Sequence, residues 1–211
     1  MFINPLVLCA VFYFVGYFWH EKTVGNKISS IFCSALISYY SLSKQLYESL
    51  FCFLIYLFLD TFIRRDFLEV DILVHHISGA IISILFYISK NYFDLSNQNL
   101  MTSATLMLMN MEFTTPFLHL VWICKKYKHL RVMILCAIFL LTLWIPFRII
   151  GSFMATKNLI FIILSDSPAL FRPFICSVIL FAIFLSSMLF FLQILGWFKI
   201  ILICVSEIYK L

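Results

Sequence analysis

The sequence predicts an all-α, polytopic transmembrane helix bundle of about seven spans. Of its 211 residues, 64% are hydrophobic and only 12% are charged, whereas soluble domains are roughly 45–50% apolar and 25% charged. The apolar residues form consecutive segments close to the roughly 20 residues that a helix needs to cross the hydrocarbon core. Only short gaps separate these segments, and no polar block is large enough to fold by itself. A single membrane domain is therefore expected.

The apolar segments define the order of the predicted spans. The second and third are short and need flanking residues to complete a crossing, whereas the last is long enough to tilt or to leave the membrane. We expect the first to be a retained span and not a cleaved signal. Residues 1–48 hold the N-terminal spans, and residues 49–205 hold the core. The seven predicted spans are Phe2–Trp19, Ile28–Ser43, Ser49–Ile63, Ile72–Ser89, Leu100–Ile123, Val132–Phe153 and Phe174–Val205.

A shorter apolar stretch, Asn158–Ser165, follows the sixth predicted span. It is about half as long as a crossing helix and is followed by Asp166, so we expect a re-entrant or interfacial segment. The alternative is an eighth helix formed together with Ile149–Thr156, which would bury Lys157.

The basic residues predict the orientation of the spans, because short loops rich in Lys and Arg stay on the cytosolic side. With seven spans, ten basic residues fall on one side and four on the other, and Arg148 lies within the sixth span. The N-terminus is therefore expected to be lumenal or extracellular and the C-terminus cytosolic. The net charge of +5 indicates this topology and not a nucleic-acid surface, since no basic face or stripe is present.

Polar side chains inside the predicted spans are the candidate functional residues, because burying them in lipid is costly. Glu112, Thr115 and His119 follow one another at helical spacing and form one stripe. Pro116 deprives the Glu112 carbonyl of its usual amide donor and predicts a kink, which is tolerated where a helix lines a cavity. We place Glu112 near the midplane and Arg148 further towards the lumenal side.

A pair of histidines lies in the fourth predicted span. Adjacent helical residues point about 100° apart, so His75 and His76 cannot both face one pocket. His76 is favoured because Gly79 and Ser83 lie on its face, and such small residues let another helix or an acyl chain come close. Together the candidates predict a polar pocket open to the cytosolic leaflet. Its proposed lipid-binding residues are Asp60, His76, Glu112, Thr115, His119 and Arg148.

This pocket has three interpretations from its residue types. An imidazole beside a carboxylate can act as a general base or an acyl-accepting nucleophile, which would make His76, His75 and Glu112 catalytic. The same groups can bind a lipid headgroup, or they can form hydrogen bonds that only hold helices together. A metal site is not expected, because the histidines lack the usual ligand spacing. The seven cysteines have no paired spacing and are expected to be free thiols.

Four sequence blocks resemble the TLC-domain family of membrane proteins. They are L-I-Y-L-F-L-D at Leu54–Asp60, V-H-H-I-S-G at Val74–Gly79, M-E-F-T-T-P-F-L-H-L-V-W at Met111–Trp122 and L-G-W-F-K-I at Leu195–Ile200. The resemblance implies that residues 49–205 are a TLC-like core enclosing a lipid-accessible cavity, usually in the endoplasmic reticulum. The chain is most similar to the small TLC-domain type. It lacks the paired aspartates of ceramide synthases, and His119 and Val121 replace an amide and a basic residue expected in the small type.

The leading hypothesis is a lipid-homeostasis protein that binds or senses a membrane lipid without a cofactor. The alternative is an acyl-CoA-dependent acyltransferase acting on a long-chain amine or alcohol, with acyl-CoA as co-substrate. A third possibility is a cargo receptor or structural partner that uses the basic loop Lys125–Arg131. In each case the expected partners are membrane lipids and the bilayer.

Overall fold

The computed structural model describes residues 4–63, 76, 77, 79–81, 83, 84, 87, 94–165 and 172–208, and in these the regular structure is helical. This confirms the predicted all-α class. Residues 76–87, where described, are helical as well. The labelled helices are α1 (Pro5–Tyr17), α2 (Lys22–Leu42), α3 (Leu46–Ile63), α4 (Leu95–Asn110), α5 (Thr115–Lys126), α6 (Leu130–Trp144), α7 (Gly151–Leu164) and α8 (Arg172–Ile208).

Helix α2 is the centre of the N-terminal half, where it contacts α1, α3, α4 and α5. Its buried face is built largely from serines, among them Ser29, Ser34, Ser38 and Ser41. Several of them satisfy their hydroxyls on main-chain carbonyls, as Ser38 does on Ser34 at 2.7 Å. Small, internally satisfied side chains let helices pack closely without burying an unpaired polar group.

Helices α4 and α5 are separated by one turn of 3-10 helix, Met111–Thr114. Pro116 is the cause, because it has no amide hydrogen to donate to the Glu112 carbonyl. That carbonyl instead accepts from the amide of Thr115, one residue closer. The predicted kink at Pro116 is therefore a local tightening of the helix immediately before the proline.

Helices α6 and α7 belong to one helix of 35 residues, Leu130–Leu164, interrupted by a π-helical turn. The turn comprises Ile145–Ile150 and contains Pro146, which removes a further main-chain donor. Helix α7 packs along α4, and α6 packs along α5. The 3-10 turn and the π turn touch each other, so two irregular turns meet at one level of the bundle.

The continuity of this helix corrects the prediction for Asn158–Ser165. Residues up to Leu164 continue the sixth helix, and no re-entrant segment is formed. Its polar residues explain why: Asn158 is buried, while Lys157 remains exposed with its amine 5.6 Å from the Phe161 ring centre. The alternative helix through Ile149–Thr156 forms, but it continues the helix that begins at Leu130 and does not bury Lys157.

Helix α8 packs against α6, α7 and the π turn. The indole nitrogen of Trp144 donates to the carbonyl of Gln193 at 2.8 Å. At Gly196 an added Cβ would lie 3.2 Å from the Trp144 ring, so the glycine allows the indole to approach the helix backbone. Trp144 therefore anchors α8 to the rest of the bundle.

Two loops that the sequence places on the same side are in contact. The α1–α2 and α5–α6 loops, both predicted to be cytosolic, lie side by side. Lys126 forms an ion pair with Glu21, and the Tyr127 hydroxyl donates to the same carboxylate at 3.1 Å. Elsewhere, the N-terminal end of α4 meets the end of α7, where the Ser165 hydroxyl donates to the Asn97 side chain at 2.8 Å. The two predicted cytosolic loops thus share one end of the bundle.

The surface is apolar and much of the interior is polar. Large side chains on α6, α7 and α8 are at least half exposed, for example Leu135, Phe153, Phe184 and Leu195. Within the described residues, one helix, Leu130–Leu164, is both long and apolar enough to cross a membrane, and shorter apolar helices cover Val7–Tyr17, Leu46–Leu59 and Phe191–Ile203.

The cysteines whose side chains are described are free thiols. Cys9 and Cys33 bring α1 and α2 together with their sulfur atoms 3.7 Å apart, and the Cys9 thiol also points at the Cys52 carbonyl. These three residues are buried and act as small packing residues between helices.

Candidate functional site

The buried polar centre of the bundle is organised around Arg148, which lies in the π turn and is only 8% exposed. Its Nε atom donates to the hydroxyl of Thr114. One terminal nitrogen donates to Thr115 Oγ1 at 2.7 Å, and the other donates to Gln193 Oε1 at 3.2 Å. We call Arg148, Thr114, Thr115, Glu112 and Gln193 the arginine site.

The two threonines become acceptors for Arg148 because their own protons are already used. Thr115 donates its hydroxyl proton to Glu112 Oε2 at 3.0 Å, and Thr114 donates to the Met111 carbonyl at 3.1 Å. Each oxygen therefore presents lone pairs to the guanidinium. Thr115 links the positive Arg148 to the negative Glu112, so that each buried charge has a counter-charge one hydroxyl away.

The helix breaks position these groups. The 3-10 turn holds Glu112 and Thr114 between α4 and α5, Thr115 begins α5, and the π turn carries Arg148, whose side chain reaches both threonines. The guanidinium carbon also lies 4.5 Å from the ring centre of Trp144, a cation–π contact that orients the side chain. The site is thus held by three separate parts of the chain.

The site retains capacity for a further acceptor. A guanidinium has five N–H groups, and three of those on Arg148 point at acceptors among the described residues. Among the described residues, no acceptor is assigned to the other two N–H groups. Such a fork of N–H groups matches carboxylate and phosphate oxygens particularly well.

His76 lies against a different group of residues. It is 5% exposed, and its ring meets Tyr56 of α3 edge-on at 6.1 Å between ring centres. The Tyr56 hydroxyl donates to Ser30 at 3.3 Å and also lies within electrostatic range of Arg148. Tyr56 therefore contacts both His76 and the serine-rich face of α2.

The stripe of small residues beside His76 packs against a helix. A Cβ on Gly79 would overlap the ring of Phe53 in α3, and Ser83 satisfies its hydroxyl on the Gly79 carbonyl at 2.7 Å. The sequence allows either another helix or an acyl chain beside this stripe. At Gly79 the structure shows a helix.

The structure joins three predicted residues directly, Glu112, Thr115 and Arg148. The guanidinium of Arg148 meets Thr115, which also bonds to Glu112, so the two charged groups lie close together. His119 lies one helical turn beyond Thr115 and is partly buried. His75 and the side chain of Asp60 lie outside the described residues. Among the residues that the structure describes, no group of three potential metal ligands occurs.

The sequence predictions missed Thr114, Trp144 and Gln193. Gln193 carries a usable signal, since it is an isolated amide within a long apolar stretch, and such residues usually face a bundle interior. Trp144 lies one helical turn before Arg148, a spacing at which side chains meet on a helix surface. Thr114 has no comparable signal, because its neighbour Thr115 already occupies the predicted stripe.

Comparison with known proteins yields no matching family model, curated protein or solved structure.

Proposed function

We propose that this chain is a multi-pass membrane protein of about seven spans, resembling the small TLC-domain type, that binds or senses a membrane lipid at the arginine site. The observation that carries the proposal is a buried, hydrogen-bonded arginine and glutamate inside a bundle whose outer surface is apolar. Ionisable groups inside a membrane bundle usually mark a functional path or site.

The helix breaks favour a binding role over simple helix contact. Irregular backbone at membrane depth is tolerated where it is enclosed by protein or lines a cavity, and π turns are frequent at functional sites. Here two irregular turns meet beside a guanidinium that has two N–H groups without an assigned acceptor among the described residues. A lipid headgroup with ester, carboxylate or phosphate oxygens would supply acceptors for them.

We expect Arg148→Gln and Glu112→Gln to lower the lipid that co-purifies with each folded molecule at least several-fold. Both substitutions remove a charge while keeping a polar side chain of similar reach. The measurement is mass spectrometry of lipids extracted from detergent-purified protein, normalised to the folded fraction. The matched controls are Lys157→Gln, an exposed cation on the same long helix, and Leu135→Ala on the apolar surface.

Unchanged lipid content in the Arg148 and Glu112 variants would show that the network only holds helices together. Incubation with acyl-CoA and a long-chain base tests the acyltransferase alternative in the same preparations. A product that disappears in His76→Ala would favour the enzyme, while its absence leaves lipid binding.

The proposed topology makes a separate prediction. We expect a tag on the N-terminus to be protected in sealed microsomes and a tag on the C-terminus to be digested, because ten basic residues fall on one side and four on the other. Endoplasmic reticulum membranes are the proposed location. Both tags on one side would require an even number of spans and would contradict the seven-span arrangement.

A further inference from the structure

A cavity of about 290 Å³ lies between the C-terminal end of α2 and one face of α4. None of the residues lining it belongs to the arginine site. Its lining combines polar side chains with a short apolar wall and contains no carboxylate. The lining residues are Ser41, Leu42, Lys44, Asn99, Thr102, Ser103, Leu106, Met107 and Asn110. We call it the Lys44 cavity.

Hydroxyl groups lining the cavity do not bond to their own helix. Many described serines and threonines inside these helices donate to a main-chain carbonyl one turn back, as Thr105 does to Met101 at 2.8 Å. Within the described part of the chain, Thr102 and Ser103 on the neighbouring face of α4 make no such bond. Their hydroxyls are available to a molecule in the cavity.

The amide of Asn110 is oriented by a neighbour. Its Oδ1 atom accepts from the Ser41 hydroxyl at 2.8 Å, which leaves the NH₂ group as the free end of the side chain. Asn99 lies further along the same face of α4 and is exposed. The cavity therefore offers the Asn110 NH₂ group as a donor, beside the hydroxyls of Thr102 and Ser103, which can donate or accept.

Lys44 adds a positive charge from an unusual backbone position. Helix α2 ends in a Schellman motif, in which the Lys44 amide donates to Ser41 and the Gln45 amide donates to Tyr40. Lys44 has φ 58°, in the left-handed region where glycine is the usual residue. The chain thus has a lysine, with its three N–H donors, where glycine would be easier to accommodate.

We propose that the Lys44 cavity binds a phosphate monoester at the head of a bilayer lipid. A phosphate monoester is an acceptor-only anion, which fits a cavity that offers an ammonium group, amide N–H groups and hydroxyls and has no carboxylate among its lining residues. The volume suits a headgroup and not a whole two-chain lipid, and the wall of Leu106 and Met107 gives the acyl chains an apolar exit. The lipid source of the ligand rests on the membrane placement proposed above.

Lys44→Gly and Lys128→Gly form a matched pair for testing this site. Lys128 follows the end of α5 in the same motif. Its φ is 59°, and the His129 amide donates a hydrogen bond to the Cys124 carbonyl, but Lys128 does not line the cavity. Glycine relieves the left-handed backbone at both positions, so neither variant should unfold. We expect Lys44→Gly to weaken binding of dioctanoyl phosphatidate about tenfold, as fits the loss of a charged hydrogen bond, and Lys128→Gly to leave it unchanged.

The binding measurement is calorimetry on the full chain in detergent, with dioctanoylglycerol and glycerol 3-phosphate as further probes. Dioctanoylglycerol lacks the phosphate and should bind far more weakly than phosphatidate. Glycerol 3-phosphate should also bind far more weakly, since it lacks the acyl chains. Equal affinity for glycerol 3-phosphate and phosphatidate would contradict the proposal that the ligand is a bilayer lipid.

Equal affinity of the two lysine variants for phosphatidate would overturn the site itself. Ser103→Ala is a second variant, expected to weaken phosphatidate binding several-fold without changing the end of α2. Arg148→Gln distinguishes this proposal from the proposed function. It should retain phosphatidate binding at the Lys44 cavity even where it loses the lipid that co-purifies with the protein.

Discussion

Arg148→Met is expected to lower the free energy of unfolding by about 3–5 kcal/mol, because it breaks a buried charged network and leaves the side chains that accept from Arg148 without their donor. Methionine retains much of the apolar volume beside Trp144 but offers no donor to Thr114, Thr115 or Gln193. Thermal and denaturant unfolding of the detergent-purified protein, followed by circular dichroism, would measure the loss.

Two further variants test whether the loss of stability in Arg148→Met comes from the hydrogen-bond network around Arg148. Lys157→Met removes an exposed cation from the same helix and should change stability by less than about 0.5 kcal/mol. The double variant Arg148→Met with Glu112→Met should be clearly more stable than the sum of the single effects predicts, since the two residues act through the same Thr115-linked network. Additive effects would contradict the coupling of Arg148 to Glu112 through Thr115.

Gly25→Ala is expected to cost about 3 kcal/mol, the upper part of the usual range for overpacking. A Cβ at this position would overlap the carbonyl oxygen of Gly16 and lie 2.5 Å from the Cβ of Trp19. The Gly16 oxygen is a main-chain atom and the Trp19 Cβ is attached directly to the main chain. Neither can therefore move without shifting the backbone of α1 or of the turn that follows it. The same unfolding measurements, or protein yield after mild heating, would report the effect.

Gly151→Ala is the matched control for this prediction. Gly151 begins α7 beside the arginine site, and the nearest atom to an added Cβ is 3.4 Å away, an ordinary contact. Alanine is a better helix former by about 1 kcal/mol, so this variant should be neutral or more stable. If Gly25→Ala were as stable as Gly151→Ala, the close approach of α1 and α2 at Gly16 and Gly25 would be wrong.

The all-α class and the position of most helices could be predicted from the sequence, because long apolar segments have few alternatives to helices. The C-terminal ends of α2 and α3 were predicted to within one residue, whereas α2 begins at Lys22, six residues before the predicted start at Ile28. The sequence also determined the break before Pro116, since a missing amide hydrogen has a purely local effect. Asn158–Ser165 was predicted wrongly because length and composition cannot show whether a polar residue such as Asn158 faces a helix neighbour.

The tertiary structure alone decided which polar residues form one site. Helical spacing placed Glu112 and Thr115 on a common face, but the position of Arg148 depends on how the π turn meets the 3-10 turn of another helix. Gln193 reaches the same guanidinium from a helix 45 residues away in sequence. Hydrogen bonds across such separations depend on helix depth and rotation, which are set by packing between helices and leave no periodic signal in either segment.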